Sequence, residues 1–268
     1  MILKTPPIEN MTGAFDVSGK NVVITGGNRG IGLGIAQAFA QSGANVAIAC
    51  RDTAGGEKAA AGLARHGGMY ACFECDVSSN DSVKSAAAKI FESFGNIDVL
   101  INNAGVASTT EFLSDNGLKE WHRIIDTNLH GVANVIHAIA PNMRDSGRGG
   151  SIINISSISG QRVSYSRNHH NPPYNVSKAG VDIFTRYLAI VLGDYGIRVN
   201  SISPGFTHSS LDDDLPPDVF EMVERELPTH RFGEPIEIGA LCIFLASPAG
   251  CHMTGNIIEH DGGVTCII

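Results

Sequence analysis

The sequence is short of basic residues and contains few charged residues of any kind. Of its 268 residues only 17% are charged, and 19 Lys and Arg stand against 27 Asp and Glu, which gives a formal net charge of −8. No block of five or more Lys or Arg occurs. Because a negative surface without a concentrated basic patch does not attract a polyanion, we expect no binding to nucleic acid or to an anionic membrane.

Long apolar runs are missing as well. No stretch approaches the roughly 18 apolar residues that a membrane-spanning helix needs. The first ten residues, MILKTPPIEN, contain two prolines and a glutamate where a secretory signal would be apolar. We therefore expect a cytoplasmic location and no membrane partner.

Cysteine is sparse, and six in a chain of this length are too few for a fold held by disulfides. Cys72 and Cys75 form a CxxC motif inside the strand-like run MYACFECDV, where a separation of three residues sends the two side chains to opposite faces. No second CxxC completes a zinc site. We interpret the pair as small apolar residues of a strand.

Hydrophobic residues make up 43% of the chain, which is enough for a packed core. From Asn21 onward, short β-branched runs alternate with longer segments of helical period, and these runs are NVVIT, NVAIA, MYACFEC, IDVLIN, SIINIS and IRVNSIS. This βαβ repetition predicts an α/β fold: one doubly wound, mostly parallel sheet with helices on both faces, as in Rossmann-like proteins. We expect a seven-stranded sheet, with one strand more than these six runs. Without an internal linker, we expect an extension over residues 1–18 and one domain over residues 19–268.

Two helices are predicted from the spacing of apolar residues. The first runs from Leu118 to Met143, where apolar side chains recur every three or four residues and form a long stripe. The second runs from about Tyr174 to Tyr195 with the same rhythm. A stripe of this length indicates packing in the core or a contact between subunits.

A glycine-rich turn follows the first strand directly and leads into a helical stretch; it reads Thr25-Gly26-Gly27-Asn28-Arg29-Gly30-Ile31-Gly32. Glycines let the backbone turn tightly and approach a pyrophosphate, which the free N–H groups and the helix dipole then bind. Glycine-rich turns alone are weak evidence, but the flanking strand and helix are the required context. The turn predicts a dinucleotide site.

The TGxxxGxG spacing of this turn resembles the short-chain dehydrogenase/reductase family. Further motifs of that family follow in order along the chain: Asp76-Val77, Asn102-Asn103-Ala104-Gly105, Asn128, Ser157, Tyr174-Asn175-Val176-Ser177-Lys178, Pro204-Gly205 and Asp261-Gly262-Gly263. The likeness covers about residues 18–263. It implies that residues 19–268 form one dinucleotide-binding catalytic domain.

Tyr174 and Lys178 are four residues apart on a predicted helix, so their side chains lie on one face. A tyrosine hydroxyl with a pKa of about 10 is a poor base at neutral pH, and a nearby cation lowers that pKa. No other YxxxK occurs in the chain. The resemblance implies that Tyr174 is the general acid/base of a hydride-transfer reaction between a ketone and a secondary alcohol.

The resemblance also assigns roles to three further groups. Ser157 would hydrogen-bond the substrate oxygen, Lys178 would hold the ribose, and Asn128 would anchor a water. Ser156 competes for the first role, but Ser157 begins the S-x-x-G segment of the family, and Ser156 would point to the other side of the strand. We choose Ser157.

The resemblance implies a nicotinamide cofactor. The residues at the end of the second strand indicate whether it is NAD or NADP. Asp52 would hydrogen-bond the ribose of NAD, whereas Arg51 and Arg29 would meet the 2′-phosphate of NADP. We favour NADP over NAD. The predicted cofactor-binding residues are Gly26, Asn28, Arg29, Gly30, Ile31, Gly32, Arg51, Asp76, Val77, Asn103, Ala104, Gly105, Tyr174, Lys178, Pro204, Gly205, Thr207 and Ser209. The resemblance also implies that either Thr207 or Ser209 would bind the carboxamide group of the nicotinamide.

Several stretches resemble family members that act on sugars, polyols and keto acids, such as gluconate 5-dehydrogenase and sorbose reductase. We expect a substrate of this kind, with a hydroxysteroid or a 3-oxoacyl group on its carrier protein as alternatives. A noncatalytic nucleotide sensor on the same fold is a further alternative. His169 and His170 lie between Ser157 and Tyr174, where we expect a loop at the mouth of the site and no metal.

The resemblance also implies an assembly of identical subunits. Family members form dimers and tetramers through the surfaces that correspond to the 118–143 stripe and to the helix beginning near Tyr174. We expect a homotetramer, or else a homodimer.

Overall fold

The computed structural model describes residues 7–8, 10–163, 172–208, 221 and 224–266. Seven strands are present within them: β1 (Asn21–Thr25), β2 (Asn45–Cys50), β3 (Tyr70–Glu74), β4 (Val99–Asn102), β5 (Gly150–Ile155), β6 (Ile197–Pro204) and β7 (Ile257–His260). They form one sheet in the order β3-β2-β1-β4-β5-β6-β7, and every neighbouring pair is parallel. The predicted seven-stranded sheet is confirmed.

Helices cover both faces of this sheet. They are α1 (Gly30–Gln41), α2 (Thr53–Leu63), α3 (Asn80–Phe94), α4 (Gly117–Ile125), α5 (Gly131–Asp145), α6 (Pro172–Gly193) and α7 (Pro235–Ala246). One core cluster unites the sheet with α3, α5 and α6, and a second unites it with α1, α2 and α7. Because both faces are covered, the central strands are buried throughout; all eight residues of β6 are inaccessible.

The strand order reverses between β1 and β4, since β2 and β3 follow β1 on one side while β4 to β7 follow on the other. In such sheets the loops leaving these two strands diverge and leave a crevice at their carboxyl ends. The glycine-rich turn follows β1, and Asn103 follows β4. The fold therefore brings these two motifs to the same crevice.

The helix predicted from Leu118 to Met143 consists of three segments. Helix α4 is joined to α5 by a π-helical turn, Asp126–His130, which contains Asn128. Most of the apolar stripe packs in the core: Ile124, Val132, Val135, Ile136, Ile139 and Met143 are all buried. Leu118, by contrast, is 63% exposed. Packing on the sheet thus accounts for most of the stripe.

Helix α6 confirms the second prediction and begins two residues before Tyr174. Pro172 and Pro173 occupy its first turn, where a missing N–H costs nothing because those groups have no partner within the helix. Its buried side includes Ser177, Lys178, Asp182 and Thr185. The helix therefore carries polar side chains into the core behind the crevice.

The described part of the predicted N-terminal extension packs on the domain. Ala14 and Val17 are buried, and the amide of Ala249 donates to the carbonyl of Ala14 at 2.7 Å. The ring of Phe15 lies 6.3 Å from that of Phe244 in α7. In the part of the chain described, no helix combines the length and the apolar character needed to cross a membrane.

The cysteines of the CxxC motif lie on opposite faces of the sheet, as predicted. Cys72 packs against the cluster that includes α1 and α2, and Cys75 belongs to the cluster that includes α3 and α5. The nearest thiol to Cys72 is that of Cys50, with 3.7 Å between the sulfurs. Burial raises the pKa of Cys75 to about 11 and that of Cys50 to about 12, so both are protonated at neutral pH.

Candidate active site

A cleft of about 650 Å³ opens at the carboxyl ends of the strands. The predicted cofactor-binding residues that line it are Gly26, Asn28, Arg29, Gly30, Ile31, Gly32, Arg51, Asp76, Val77, Asn103, Ala104, Gly105, Tyr174, Lys178, Pro204, Gly205 and Thr207. Ser157 lines it too, whereas Asn128 is fully buried behind Thr127. Ser209 lies outside the described residues. One cleft therefore brings together Ser157, Tyr174 and Lys178 with all the predicted cofactor-binding residues that the structure describes.

The glycine-rich turn is shaped to accept a phosphate group. Gly26 has a φ of 64°, which favours glycine, and a Cβ on Gly32 would collide with the carbonyl of Gly26. The side-chain amide of Asn103 donates from its Nδ2 to the carbonyls of Thr25 and Gly26 at 3.0 and 3.1 Å and so fixes the turn. Helix α1 starts here without a side-chain cap, so its first N–H groups are available to an anion.

Two arginines and one aspartate line one part of the cleft, after β1 and β2. Arg29 and Arg51 are exposed at the rim of the cleft. The carboxylate of Asp52 caps helix α2, since its Oδ1 accepts a hydrogen bond from the amide of Gly55 at 3.0 Å. This hydrogen bond occupies one carboxylate oxygen of Asp52, the acid that would favour NAD.

Asp76 and Val77 follow β3 and also line the cleft. The Oδ1 of Asp76 accepts hydrogen bonds from the amide and the hydroxyl of Ser78 at 3.0 and 2.7 Å. The carbonyl of Val77 accepts from Asn134 on α5 at 3.0 Å. These bonds hold both residues in place after β3.

Asn128 supports the loop after β4 through its side chain. Its Oδ1 accepts from the amide of Val106 at 2.8 Å, and its Nδ2 donates to the carbonyl of Val106 at 2.9 Å and to Ser177 at 3.3 Å. Because the side-chain amide is committed to these partners, a water bound by Asn128 would have to contact its backbone. The π-helical turn around it is a distortion of the kind often found at functional sites.

Tyr174 and Lys178 lie one turn apart on α6, with the Nζ of Lys178 5.5 Å from the centre of the tyrosine ring. The ammonium group donates to the carbonyl of Ile155 at 2.8 Å. Burial lowers the pKa of Lys178 to about 8, and the charge of Asp182 partly opposes that shift. The pair thus places a cation beside the tyrosine at the base of the cleft.

The two candidate serines differ in what their hydroxyls contact. Ser156 Oγ donates to the carbonyl of Lys178 at 3.2 Å, so its proton is committed to the protein. Ser157 Oγ accepts from the amide of Ser159 at 3.1 Å, which leaves its own proton to donate. Both line the cleft. The bonding favours Ser157 as the donor to a substrate oxygen.

Thr207 is the described member of the pair predicted to contact the carboxamide. It forms a β-bridge with Gly233, and its hydroxyl donates to the carbonyl of Gly205 at 3.3 Å. His169 and His170 lie outside the described residues. Across the ranges that are described, no group of three or more His, Cys, Asp or Glu side chains is placed to hold a metal ion.

Sequence reasoning missed a number of residues that line the cleft: Ala49, Cys50, Cys75, Val106, Ala107, Thr127, Ile155, Ile158, Ser159, Phe206 and Val264. Cys50 and Ile155 are the last residues of β2 and β5, so the rule that ligands bind at strand ends could have found them. Val264 offers no such signal because only the tertiary fold brings it to the cleft.

A doubly wound parallel sheet with a glycine-rich turn at its topological switch point defines a Rossmann-like dinucleotide-binding protein. A family model described as Enoyl-(Acyl carrier protein) reductase matches residues 26–265. The 3-oxoacyl-[acyl-carrier-protein] reductase of Chlamydia muridarum is 38% identical over 246 residues, which are 91% of this chain and 97% of that protein.

Two solved structures are similar along almost their whole length. A short-chain dehydrogenase/reductase from Mycobacterium marinum is 38% identical with a TM-score of 0.90, covering 96% of this chain and 100% of that one. A gluconate 5-dehydrogenase from Burkholderia cenocepacia, in complex with NADP and tartrate, is 29% identical with a TM-score of 0.88, covering 97% and 100%.

The chain belongs to the short-chain dehydrogenase/reductase family. It is therefore an oxidoreductase of a family that binds NAD or NADP.

Proposed function

We propose that the protein is an NADP(H)-dependent oxidoreductase that interconverts a ketone and a secondary alcohol. The observation that carries this proposal is the position of Tyr174, Lys178 and Ser157 in the cleft that also contains the glycine-rich turn. Tyrosine, lysine and serine can together hold and protonate a carbonyl oxygen, and the turn fits the phosphates of a dinucleotide.

In the proposed reaction, the glycine-rich turn and Lys178 would hold a nicotinamide nucleotide, which would supply the hydride for reduction of the carbonyl carbon and take up the hydride in oxidation of the alcohol. Ser157 donates a hydrogen bond to the substrate oxygen, on which negative charge develops during reduction. Tyr174 gives its hydroxyl proton to that oxygen, and in oxidation it takes the proton back. Lys178 stabilises the tyrosinate by its charge, and Asn128 holds the loop that faces it.

NADP as the cofactor is supported by the residues around the ribose site. Arg29 and Arg51 can both reach a phosphate there, and the cap on α2 occupies the competing carboxylate of Asp52. The gluconate 5-dehydrogenase structure from Burkholderia cenocepacia contains NADP. Its similar fold therefore adds to this proposal.

Replacing Arg51 by alanine tests the cofactor preference. We expect the ratio of kcat/KM for NADPH over NADH to fall by about ten- to a hundredfold, because a hydrogen bond to a charged phosphate contributes about 1.5 to 3 kcal/mol. Arg65→Ala, at an exposed position outside the cleft, is the matched control and should leave the ratio unchanged. An unchanged ratio in Arg51→Ala would contradict the proposed role of Arg51 in binding the 2′-phosphate of NADP.

For the substrate we propose a sugar, a polyol or a keto acid, as expected from the sequence. A 3-oxoacyl group is supported by the name of the Chlamydia muridarum relative, and a hydroxysteroid is the remaining alternative. Each of these presents, in its oxidised or its reduced form, a carbonyl or a secondary alcohol flanked by two carbons. The shared chemistry is therefore ketone reduction and the oxidation of a secondary alcohol.

A panel of ketones with NADPH tests the function. Sugars, keto acids, steroids and simple ketones are incubated with enzyme and NADPH, and the loss of the near-ultraviolet absorbance of NADPH is recorded. We expect oxidation with at least one class. If NADPH binds but no ketone is reduced, the protein is a nucleotide sensor and the proposed enzymatic function is wrong.

A further inference from the structure

One end of the cleft, next to the catalytic side chains, has an apolar wall. The residues of this wall that line the cleft are Val106, Ala107, Ile158, Phe206 and Val264. Ile158 follows Ser157 directly, so it lies within reach of any substrate whose oxygen Ser157 holds. Val106 is likewise fixed beside the site by Asn128.

The wall is backed by a small hydrophobic cluster of its own. Leu227 and Phe232, each 1% exposed, pack with Val264, and Ile158 packs against the three of them. This satellite cluster is separate from the two clusters that flank the sheet. Its members come from three stretches of the chain, and two of them, Ile158 and Val264, also line the cleft.

The Asp261-Gly262-Gly263 motif fixes the position of Val264. The carboxylate of Asp261 accepts hydrogen bonds from the amides of Gly263 and Thr265 at 2.9 Å each, and from the hydroxyl of Thr265 at 2.6 Å. Gly262 has a φ of 64°, and a Cβ there would collide with Thr229. The motif therefore presses the turn that bears Val264 against the 227–232 segment.

Phe206 extends the wall toward the solvent. Its ring meets the ring of Phe232 edge to face, with 5.6 Å between centres and 63° between planes. The amide of Gly233 donates to the carbonyl of Phe206 at 2.9 Å, which pins the backbone on the same side. Phe206 remains 37% exposed, so its face is accessible to a ligand in the cleft.

We propose, on the basis of the function proposed above, that this wall binds an apolar substituent of the ketone. The substrate class is then a ketone with a hydrocarbon chain or ring beside the carbonyl, and Ile158 and Val264 determine specificity. Removing one methylene from water contributes about a fourfold gain in binding. A polyol ketone would instead place hydroxyl groups against side chains that cannot hydrogen-bond them.

A homologous series of methyl ketones, from butan-2-one to nonan-2-one, measures the effect with NADPH. In the wild type, kcat/KM should rise by about fourfold per added methylene until the wall is filled. Fructose and dihydroxyacetone are the polar comparisons and should be poorer substrates than ketones of similar size. A flat or falling series, or a preference for the polar ketones, would overturn the inference.

Two substitutions by threonine test the named residues. Val264→Thr and Ile158→Thr should each reduce the gain per methylene, because a hydroxyl then faces the hydrocarbon chain. Val191→Thr is the same change at an exposed position on α6 and should leave the gain as in the wild type. NADPH binding to each variant, measured by fluorescence, shows that the fold is retained.

The outcomes separate this inference from the function on which it rests. Turnover of ketones with no dependence on chain length, or with the same dependence in the wild type and in both threonine variants, contradicts the apolar wall and leaves the reductase intact. NADPH binding without oxidation by any ketone contradicts the reductase itself.

Discussion

Lys178 is a cation buried beside a carboxyl group that the proposed reaction does not use. Asp182 lies one turn further along α6 and is buried with it. Burial raises the pKa of Asp182, while the hydrogen bond from Ser201 and the charges of Lys178 and Arg186 lower it. The Oδ2 atom of Asp182 has no hydrogen-bond partner in the described part of the chain. Burial lowers the pKa of Lys178 and the negative charge of Asp182 partly opposes this, with a net pKa of about 8.

Changing Asp182 to asparagine should therefore lower the pKa of Lys178 further. Above that pKa the lysine is neutral and no longer stabilises the tyrosinate, so the loss of kcat on the alkaline side should begin at a lower pH than in the wild type. Asp194→Asn, exposed after the end of α6, is the control and should leave the pH profile unchanged. Identical profiles for Asp182→Asn and the wild type would contradict the electrostatic role.

The residues of the site differ in how far the sequence could predict them. Tyr174 and Lys178 were predictable because a spacing of four on a helix places two side chains on one face whatever the rest of the fold does. Val264 and Phe206 were not, since they reach the cleft through contacts with Phe232 and the 227–232 segment. Contacts between distant segments leave no periodic pattern in the chain.

The start of helix α7 depends on one glutamate. The Oε2 of Glu237 accepts a hydrogen bond from the amide of Glu234 at 2.8 Å, and both its oxygens are bound by Arg231 at 2.6 and 2.9 Å. Hydrogen bonds from Arg231 and from the backbone of Glu234 lower the pKa of Glu237 to about 2. This segment continues into Gly233, which pairs with Thr207 at the cleft.

Replacing Glu237 by glutamine should lower the free energy of unfolding by about 1 kcal/mol at neutral pH, as expected for a helix cap on the surface. Because the folded state lowers the pKa of the acid, its contribution is complete above about pH 4.5 and is lost as the pH falls toward 2. Urea denaturation at several pH values measures the difference, which should shrink in acid. Glu226→Gln, at an exposed position, is the control. A difference that does not depend on pH would contradict the role of the charge.

The helical elements show one limit of periodic patterns. The apolar spacing correctly predicted helix from Leu118 to Met143 but did not reveal the π-helical turn at Asp126–His130. One additional residue in a single turn shifts the apolar positions only slightly, so a pattern averaged over two dozen residues conceals it. The distortion nevertheless decides where Asn128 points.

At the scale of the whole molecule, the net charge of −8 repels the anionic cofactor that the cleft would bind. A polyanion can bind here only through local features, and the cleft supplies them in the start of α1, Arg29 and Arg51. Composition thus predicts no binding to nucleic acid, which stays a prediction, whereas the cofactor could be inferred only from the motifs. The parallel sheet was predictable from the βαβ repetition, because two parallel strands need a crossover connection, which is usually a helix.

Self-association is the prediction that belongs to this scale. Ile183, Tyr187 and Ile190 are 63%, 64% and 79% exposed and follow one another by four and three residues on α6. An apolar face of this kind favours contact with another subunit. We expect light scattering to show a homotetramer, and Ile190→Glu to dissociate it at least in part. Met69→Glu, next to the edge strand β3, should leave the assembly intact; a monomeric wild type would refute the prediction.

The most direct test of the proposed chemistry is the rate of NADPH oxidation with a reducible ketone in the wild type and in Tyr174→Phe. Removing the hydroxyl that protonates the substrate oxygen should lower kcat by about a hundred- to ten-thousandfold, with NADPH binding retained. Tyr187→Phe, the same change at an exposed position on α6, should leave kcat unchanged. Wild-type kcat in Tyr174→Phe would show that another group transfers the proton and would contradict the proposed mechanism.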